Sequence, residues 1–542
     1  MTEPFRVLIA DSMSPRAAEV LAASSSIEVD NRAGITAQEL AAVISEYHGL
    51  LVRSRTKVNA DVIGAATKLA IVGRAGIGVD NIDLEAASRR GVVVENAPSG
   101  NAVTTAEHAI CLLLSLARNI PQATASLKAS KWEKKKLSGR ELMGKNLGVI
   151  GLGNIGRIVA NRAVGLHMHV IAHDPFIGAE AAARMGVELV TLDELFGRSD
   201  FITVHTPLTA ETSGLIGRPA LSKVKQGVLI VNAARGGIVD EEALLEALES
   251  GKVGGAALDV FTTEPPPAEH PLIAHPNVIC TPHLGASTDE AQEKVAVEVA
   301  EQIVDFVEKR QIRNAVNLTS VPAESLERIA PWLGLCRQLG SFVAQLAARD
   351  KGFRDRGFID ELTVEVIGEP CELGATACTR ATLVGLLGVF MDGPINEVNA
   401  SLIAQERDLT INEVKRSRDL DLKSAIAVTA RSGNQVRLVK GTLHHIGGKV
   451  EPRLAQVDSF GVEMVPEGRI LVVLNQDRPG IIGAVGTLLG QSSINVSSLH
   501  VGLDRDRGVA IMLWNLDADL PAEILESVRG LPFVSRAQVI DL

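Results

Sequence analysis

The chain has 542 residues, 46% of them hydrophobic and 22% charged. That is too long for a single core and suits about three or four globular domains. A formal net charge of -11 argues against a surface built around nucleic-acid phosphates, which would ordinarily be basic. The five cysteines, Cys111, Cys280, Cys336, Cys371 and Cys378, show neither metal-ligand spacing nor a disulfide framework, which fits a reducing compartment.

The first residues run directly into a strand-like segment without the basic and apolar regions of a signal peptide. No uninterrupted apolar run approaches the roughly 20 residues that cross a bilayer. A cytoplasmic protein with no membrane role is therefore expected. Short apolar runs at 5–10, 49–52, 70–73 and 92–95 alternate with helix-like stretches, the signature of a parallel α/β sheet. A long apolar helix is expected at 103–117, then a Lys-rich loop at 131–136, then a second α/β series from 147 to 281. Ser287 and Glu290 suggest a capping box for a helix whose Val295, Val299, Ile303 and Phe306 form one apolar face. That helix should return to the first domain and leave a ligand cleft between the two.

Beyond 317 the pattern changes to a helical stretch, a strand at 362–368, a helix at 382–390 and β-rich sequence through 436–465. The tail reads strand 469–474, helix 480–490, strands 494–503 and 508–516, helix 521–531 and strand 534–542, a ferredoxin-like βαββαβ order. The expected architecture is α/β. Residues 1–100 with 286–317 form a substrate-binding domain, and 101–285 a Rossmann-like nucleotide-binding domain. An α+β intervening domain at 318–465 and the βαββαβ domain at 466–542 complete it.

The buried-strand run 147–150 leads straight into Gly151, Leu152, Gly153, Asn154, Ile155 and Gly156, after which a helix starts. Gly151 permits a tight turn, Gly153 lets a pyrophosphate approach the backbone, and Gly156 lets helix and strand pack closely. Asp174 follows about 20 residues on, where a carboxylate accepts from ribose hydroxyls and repels a 2′-phosphate, favouring NAD over NADP. His173 beside it could soften that preference.

Downstream, Arg235, Glu264 and His283 each follow a strand-like run, and such positions point at the crevice of an open α/β sheet. Oxidising a secondary alcohol by hydride transfer requires a base for the hydroxyl proton, and an imidazole with an ordinary pKa of about 6.5 suits the task. His283 is the candidate base, Glu264 the carboxylate that fixes its tautomer, and Arg235 the clamp for a substrate carboxylate. Singly, each residue reads equally well as a turn cap, a loop charge or a surface histidine.

Together, with the flanking Ala233, Ala234, Gly236 and Gly237 around the arginine and Thr281, Pro282, Leu284 and Gly285 around the histidine, they resemble the D-isomer-specific 2-hydroxyacid dehydrogenase family. Val52-Arg53-Ser54, Gly73-Arg74-Ala75-Gly76, Asn96-Ala97-Pro98-Ser99-Gly100-Asn101 and Lys131-Trp132-Glu133 extend the resemblance to its long branch acting on D-3-phosphoglycerate, over nearly the whole chain. The resemblance implies NAD-dependent oxidation to 3-phosphohydroxypyruvate, the opening step of the phosphorylated route to L-serine, in a homo-oligomer. It also implies that Ile77, Asn154, Ile155, Asp174, Thr206, Ala233, Ala234, Asp259, Gly285 and Ala286 line the cofactor.

A phosphorylated substrate needs cations beyond Arg235. Arg53, Arg74 and Lys134 are the candidates, beside Gly76 and His283, with Arg55 and Lys135 as alternatives and Asn101 holding the carboxylate from the other side. Residues 131–136 also read as a solvated surface. The tail resembles an ACT domain, a module that binds amino acids at pairs of such domains. Asp477-Arg478-Pro479-Gly480 and Asn495 match its ligand loop, and L-serine is the implied effector. Asn475 stands where some serine-inhibited relatives carry histidine or tyrosine, so serine regulation and a purely oligomer-forming role both stay open. A glyoxylate, hydroxypyruvate or D-lactate enzyme of the same family, an NAD sensor, and an amino-acid-responsive binding protein remain the competing readings.

Overall fold

Strands Ile27–Asn31, Phe5–Ile9, Gly49–Val52, Ile71–Arg74 and Val93–Asn96 lie side by side in that order, all parallel. The computed structural model describes residues 3–318, 321, 323–348, 359–391, 393–419 and 421–542, with the backbone alone at 323 and 324. Gly49–Val52 is buried along its whole length, as a parallel strand covered on both faces requires. Helix Asp289–Lys309 returns to this sheet and packs Val295, Val299 and Ile303 into one core with Val7, Ile9, Leu51 and Ile71. Its cap corrects the expectation at its start. Thr288 is the N-cap and accepts from the Ala291 N–H, while the Ser287 N–H turns back to the Leu284 carbonyl. The helix begins one residue later than a Ser287–Glu290 box would need.

The second sheet is parallel and seven-stranded, in the order Val278–Cys280, Val253–Leu258, Val228–Asn232, Phe201–Val204, Asn146–Ile150, His169–His173, Glu188–Leu189. The first of these strands in the chain, Asn146–Ile150, sits where the order reverses, and a ligand crevice opens at such a switch point. Helix Ala102–Ala117 buries Leu112, Leu113 and Leu116 against this sheet beside Leu229, Val231 and Ala257.

The third sheet runs Thr410–Arg416, Glu361–Ile367, Ala425–Ser432, Gln435–Ile446, Lys449–Val457, Phe460–Met464, and its first pair alone is parallel. Helices Ala323–Ala348 and Glu369–Phe390 pack against each other and share its core. The second helix starts well before the expected 382, with non-helical dihedrals at Gly374. Glycine and threonine weaken the local helix signal there, and packing overrides it. By length and composition this helix could cross a bilayer, yet Arg380 interrupts its apolar run and 50% of its apolar window is buried inside the protein.

The last sheet is antiparallel, in the order Val496–Asp504, Val509–Leu516, Arg469–Gln476, Val534–Asp541, the ferredoxin-like arrangement. One face carries helices Ile481–Gln491 and Ala522–Arg529. The other face, with Ile470, Val472, Ile511, Leu513 and Ile540, merges into the core of the third sheet beside Phe342, Leu346 and Leu362.

Candidate active site

Arg235, Glu264 and His283 follow strands Val228–Asn232, Val253–Leu258 and Val278–Cys280, which are neighbours in the seven-stranded sheet. Chain order thus becomes adjacency at the carboxyl edge. His283 Nδ1 lies 2.7 Å from Glu264 Oε2, and Glu264 Oε1 accepts the Phe261 N–H at 3.1 Å. An ionised carboxylate can only accept, so it holds the proton on Nδ1 and leaves Nε2 with a free lone pair. Both side chains remain accessible, at 50% and 36%.

The Arg235 guanidinium donates from Nε to Asp80 Oδ2 at 3.0 Å and from Nη1 to the Ala234 carbonyl at 2.7 Å. Asp80 belongs to the segment that carries the first sheet, so this ion pair joins the two α/β units. Arg74, at the end of strand Ile71–Arg74, lies close by. Burial, then Arg235, pulls its pKa down to about 10, and its Nε has no partner among the described residues. A Cβ on Gly76 would sit 1.7 Å from Arg74 Nη1, and one on Gly78 would sit 1.7 Å from Arg235 Nη2. The glycine loop therefore lets two guanidinium groups approach, which concentrates positive charge beside it.

Arg53 adds to the positive field on Arg74, and its Nη1 donates to the Ser12 carbonyl at 3.1 Å. Arg55 is committed elsewhere: its Nη2 donates to Ile35 at 2.9 Å and its Nε lies 3.5 Å from buried Asp11. Lys134 and Lys135 are exposed, and among the described residues no hydrogen bond or ion pair joins either to the arginines. Asn101 is buried at the start of helix Ala102–Ala117, with Oδ1 unpartnered.

At the glycine turn, Gly151 has φ +91°, and a Cβ on Gly156 would come within 1.9 Å of the Gly151 carbonyl. Gly153 instead faces open space and heads helix Asn154–Gly165 without a side-chain cap. Its first N–H groups are thus available to an anion. Asp174 accepts the Leu152 N–H at 2.7 Å and the Phe176 N–H at 2.8 Å, which fixes the carboxylate beside the turn. The His173 ring is tied to the Val190 carbonyl at 3.1 Å. Thr206 Oγ1 and His205 Nδ1 are buried without partners among the described residues, and burial pushes His205 down to about 4. Asn154 is exposed, Ile155 partly so, and Ala233 buried. The Ile77 carbonyl accepts from Asn96, the Ala234 N–H donates to Asn232, and the Ala286 carbonyl accepts from Gln292. Asp259 is buried and accepts from Leu284 and Gly285. An open glycine, a bare helix terminus and an unpartnered hydroxyl together fit a dinucleotide.

In the last sheet, Asn475 is buried with Oδ1 unpartnered, and the Asp477 N–H donates to the Gly508 carbonyl at 2.9 Å. Asn495 donates to Asp517 and precedes Val496, which pairs with Leu516, the partner of Arg469. Asn475 pairs with Ala510 at the other end of the same strands. One chain therefore does not bring Asn495 together with Asn475 and Asp477.

Residues 110–285 match the NAD-binding domain of D-isomer specific 2-hydroxyacid dehydrogenases, 328–458 the D-3-phosphoglycerate dehydrogenase intervening domain, and 469–533 the ACT domain. The D-3-phosphoglycerate dehydrogenase of Archaeoglobus fulgidus is 43% identical over 99% of this chain and 100% of its own length. The chain belongs to the D-3-phosphoglycerate dehydrogenase family. The Bacillus subtilis member is 39% identical over 99% of the chain and 100% of its own length. Among solved structures, a glyoxylate reductase from Paecilomyes thermophila is similar at TM-score 0.54 and 29% identity, covering 58% of this chain and 99% of its own. An NAD-dependent formate dehydrogenase from Staphylococcus aureus in complex with NAD is similar at TM-score 0.52 and 27% identity, covering 57% and 99%. The protein is an NAD-dependent dehydrogenase of this family with a small-molecule substrate. Sequence reasoning missed Asp80, an ordinary loop carboxylate with no local signal, and His108. Asn101, Thr105 and His108 recur at helical spacing on one face, which was a usable sign.

Proposed function

We propose that this protein oxidises D-3-phosphoglycerate to 3-phosphohydroxypyruvate with NAD, feeding the phosphorylated route to L-serine. The observation that carries the reading is the 2.7 Å His283–Glu264 pair, beyond strands adjacent to the one that Arg235 follows, with Arg74 in the field of Arg235. Residues 1–100 with 286–317 bind the substrate, 101–285 the cofactor, 318–465 intervene, and 466–542 regulate.

Bound NAD supplies the hydride acceptor for the carbinol carbon. His283 Nε2 takes the hydroxyl proton as the C–O bond becomes a carbonyl, and Glu264 stabilises the imidazolium through Nδ1–H. Arg235 holds the substrate carboxylate, with Asn101 on its other side, and polarises the carbonyl in the reverse direction. Arg74 and Arg53 receive the phosphate at the Gly76 loop, with Lys134 as a third cation.

Trp132 is 80% exposed and Leu127 60%, and Val103, Leu114 and Ile120 are exposed on helices Ala102–Ala117 and Ile120–Lys128. Apolar side chains left open in this stretch support a homo-oligomer. L-serine is the proposed effector, held between two ACT domains so that Asn495 of one copy meets Asn475 and Asp477 of the other.

The test follows NADH formation at 340 nm with D-3-phosphoglycerate, with D-lactate and D-glycerate as controls and L-serine added in parallel. His283→Ala should lower kcat by about 10²–10⁴. Arg74→Ala should raise KM for the phosphate ester roughly tenfold to a hundredfold, the value of a charge-assisted hydrogen bond, with NAD affinity unchanged. Turnover on D-lactate and none on the phosphate ester would sink the substrate assignment.

A further inference from the structure

The loop that carries His283 hangs on one buried residue. Asp259 is 1% exposed and directly follows strand Val253–Leu258. Its Oδ1 accepts the Thr281 hydroxyl at 2.6 Å and the Leu284 N–H at 2.7 Å, and its Oδ2 accepts the Gly285 N–H at 2.9 Å. Its backbone carbonyl accepts the His283 N–H at 2.9 Å. His283 has φ +54°, a left-handed conformation that persists in a side-chain-bearing residue where the surroundings enforce it.

His108 reaches that carboxylate from a different element. It stands on helix Ala102–Ala117, with Nε2 3.1 Å from Asp259 Oδ1 and 3.3 Å from Thr281 Oγ1. Thr281 gives its single proton to Asp259, so towards His108 it can only accept. Both contacts therefore place the imidazole proton on Nε2. Burial alone would raise the Asp259 pKa, but hydrogen bonds from His108, Thr281 and Leu284 outweigh it and hold the carboxyl below its ordinary value. The helix that follows the first crossing between the α/β units is thus tied to the catalytic loop that precedes the second.

We propose that His108 is a positioning residue for hydride transfer, orienting the Asp259 carboxylate that in turn holds Thr281–Gly285 and so sets the His283–Glu264 pair. The proposal rests on the reading of His283 as the base. It goes beyond that reading in assigning a second histidine, which acts through Asp259 and Thr281.

The test compares the full-length wild type with His108→Leu, His108→Gln and Thr281→Val. Wild-type turnover is measured first on D-3-phosphoglycerate and D-lactate. Its absence on the phosphate ester would overturn the substrate reading and leave the His108 comparison to whichever acid is oxidised. His108→Leu should lower kcat by about a hundredfold, because small misplacements of a reacting group cost that much. KM for the acid substrate should stay within about twofold, since the loss falls on the chemical step. His108→Gln, which keeps a side-chain N–H, should recover most of the loss. Thr281→Val, which deletes the other side-chain donor to the same oxygen, should reproduce the kcat-selective defect, and this variant with His108→Gln carries the test if His108→Leu does not fold. Wild-type kcat in His108→Leu, a KM that rises as far as kcat falls, or a glutamine no better than leucine in a protein of normal melting and NAD affinity would overturn the proposal.

Discussion

Glu95, in strand Val93–Asn96, is fully buried, its Oε1 accepting the Arg313 N–H at 2.8 Å and its Oε2 without a partner among the described residues. Burial pushes its pKa from an ordinary 4.5 up to about 7, against the opposing pull of the Arg313 N–H and charge. The folded state therefore holds this proton more tightly than the unfolded chain. Stability from this group is fully present below the ordinary carboxyl value and is lost as pH rises through about 7. The loss amounts to about 3 kcal/mol. Glu95→Gln keeps the acceptor for Arg313 and removes the titration, so it should melt higher than wild type at pH 8 and at the same temperature at pH 4. Equal melting at both pH values would show that the carboxyl ionises freely. Gly76 leaves room for the Arg74 guanidinium, and Gly78 for that of Arg235. The Arg, Glu and His residues were legible in the sequence because each follows a strand, whereas Asp80 and His108 act through partners 155 and 151 positions away along the chain.

Helices Ala323–Ala348 and Glu369–Phe390 approach so closely that a Cβ on Gly340 would lie 2.1 Å from the Thr382 carbonyl, and one on Gly385 2.0 Å from the Arg337 carbonyl. Backbone rather than a movable side chain blocks the added atom. Gly340→Ala should therefore destabilise this helix pair by about 1–3 kcal/mol, the usual range for overpacking. A calorimetric scan should show a lower transition for the intervening unit while NAD binding stays at the wild-type level. An unchanged scan would mean that the helices separate without loss. The close crossing also accounts for the misplaced helix start, since a contact between residues distant in sequence overrides weak local propensity. The terminal strands of the ACT unit were legible to within two residues because turns bound them and apolar residues fill them.

Two of the junctions among the four sheets differ in kind. The α/β units are joined by two crossings and the Arg235–Asp80 pair. Polar links of this kind can re-form as a cleft opens and closes. The ACT sheet instead shares one apolar core with the intervening unit, reinforced where Arg536 donates to the Leu346 carbonyl at 2.6 Å. Deleting residues 466–542 should expose that apolar face and give an aggregating protein. Deleting 318–542 should leave a dispersed chain that still binds NAD, as the formate dehydrogenase similar to 57% of this chain is nearly covered by that portion. Size-exclusion profiles of the two truncations decide the matter, and a monodisperse 1–465 protein would refute the shared core. The sequence by itself determined the glycine turn, the acidic residue after the next strand, the three catalytic candidates and the βαββαβ tail, because each depends on residues near one another in the chain. Tertiary structure alone decided which cations gather around Gly76, that Asn495 lies apart from Asn475, and that His108 meets Asp259. Those facts depend on strand order and on the packing of elements distant in sequence, which local patterns do not encode.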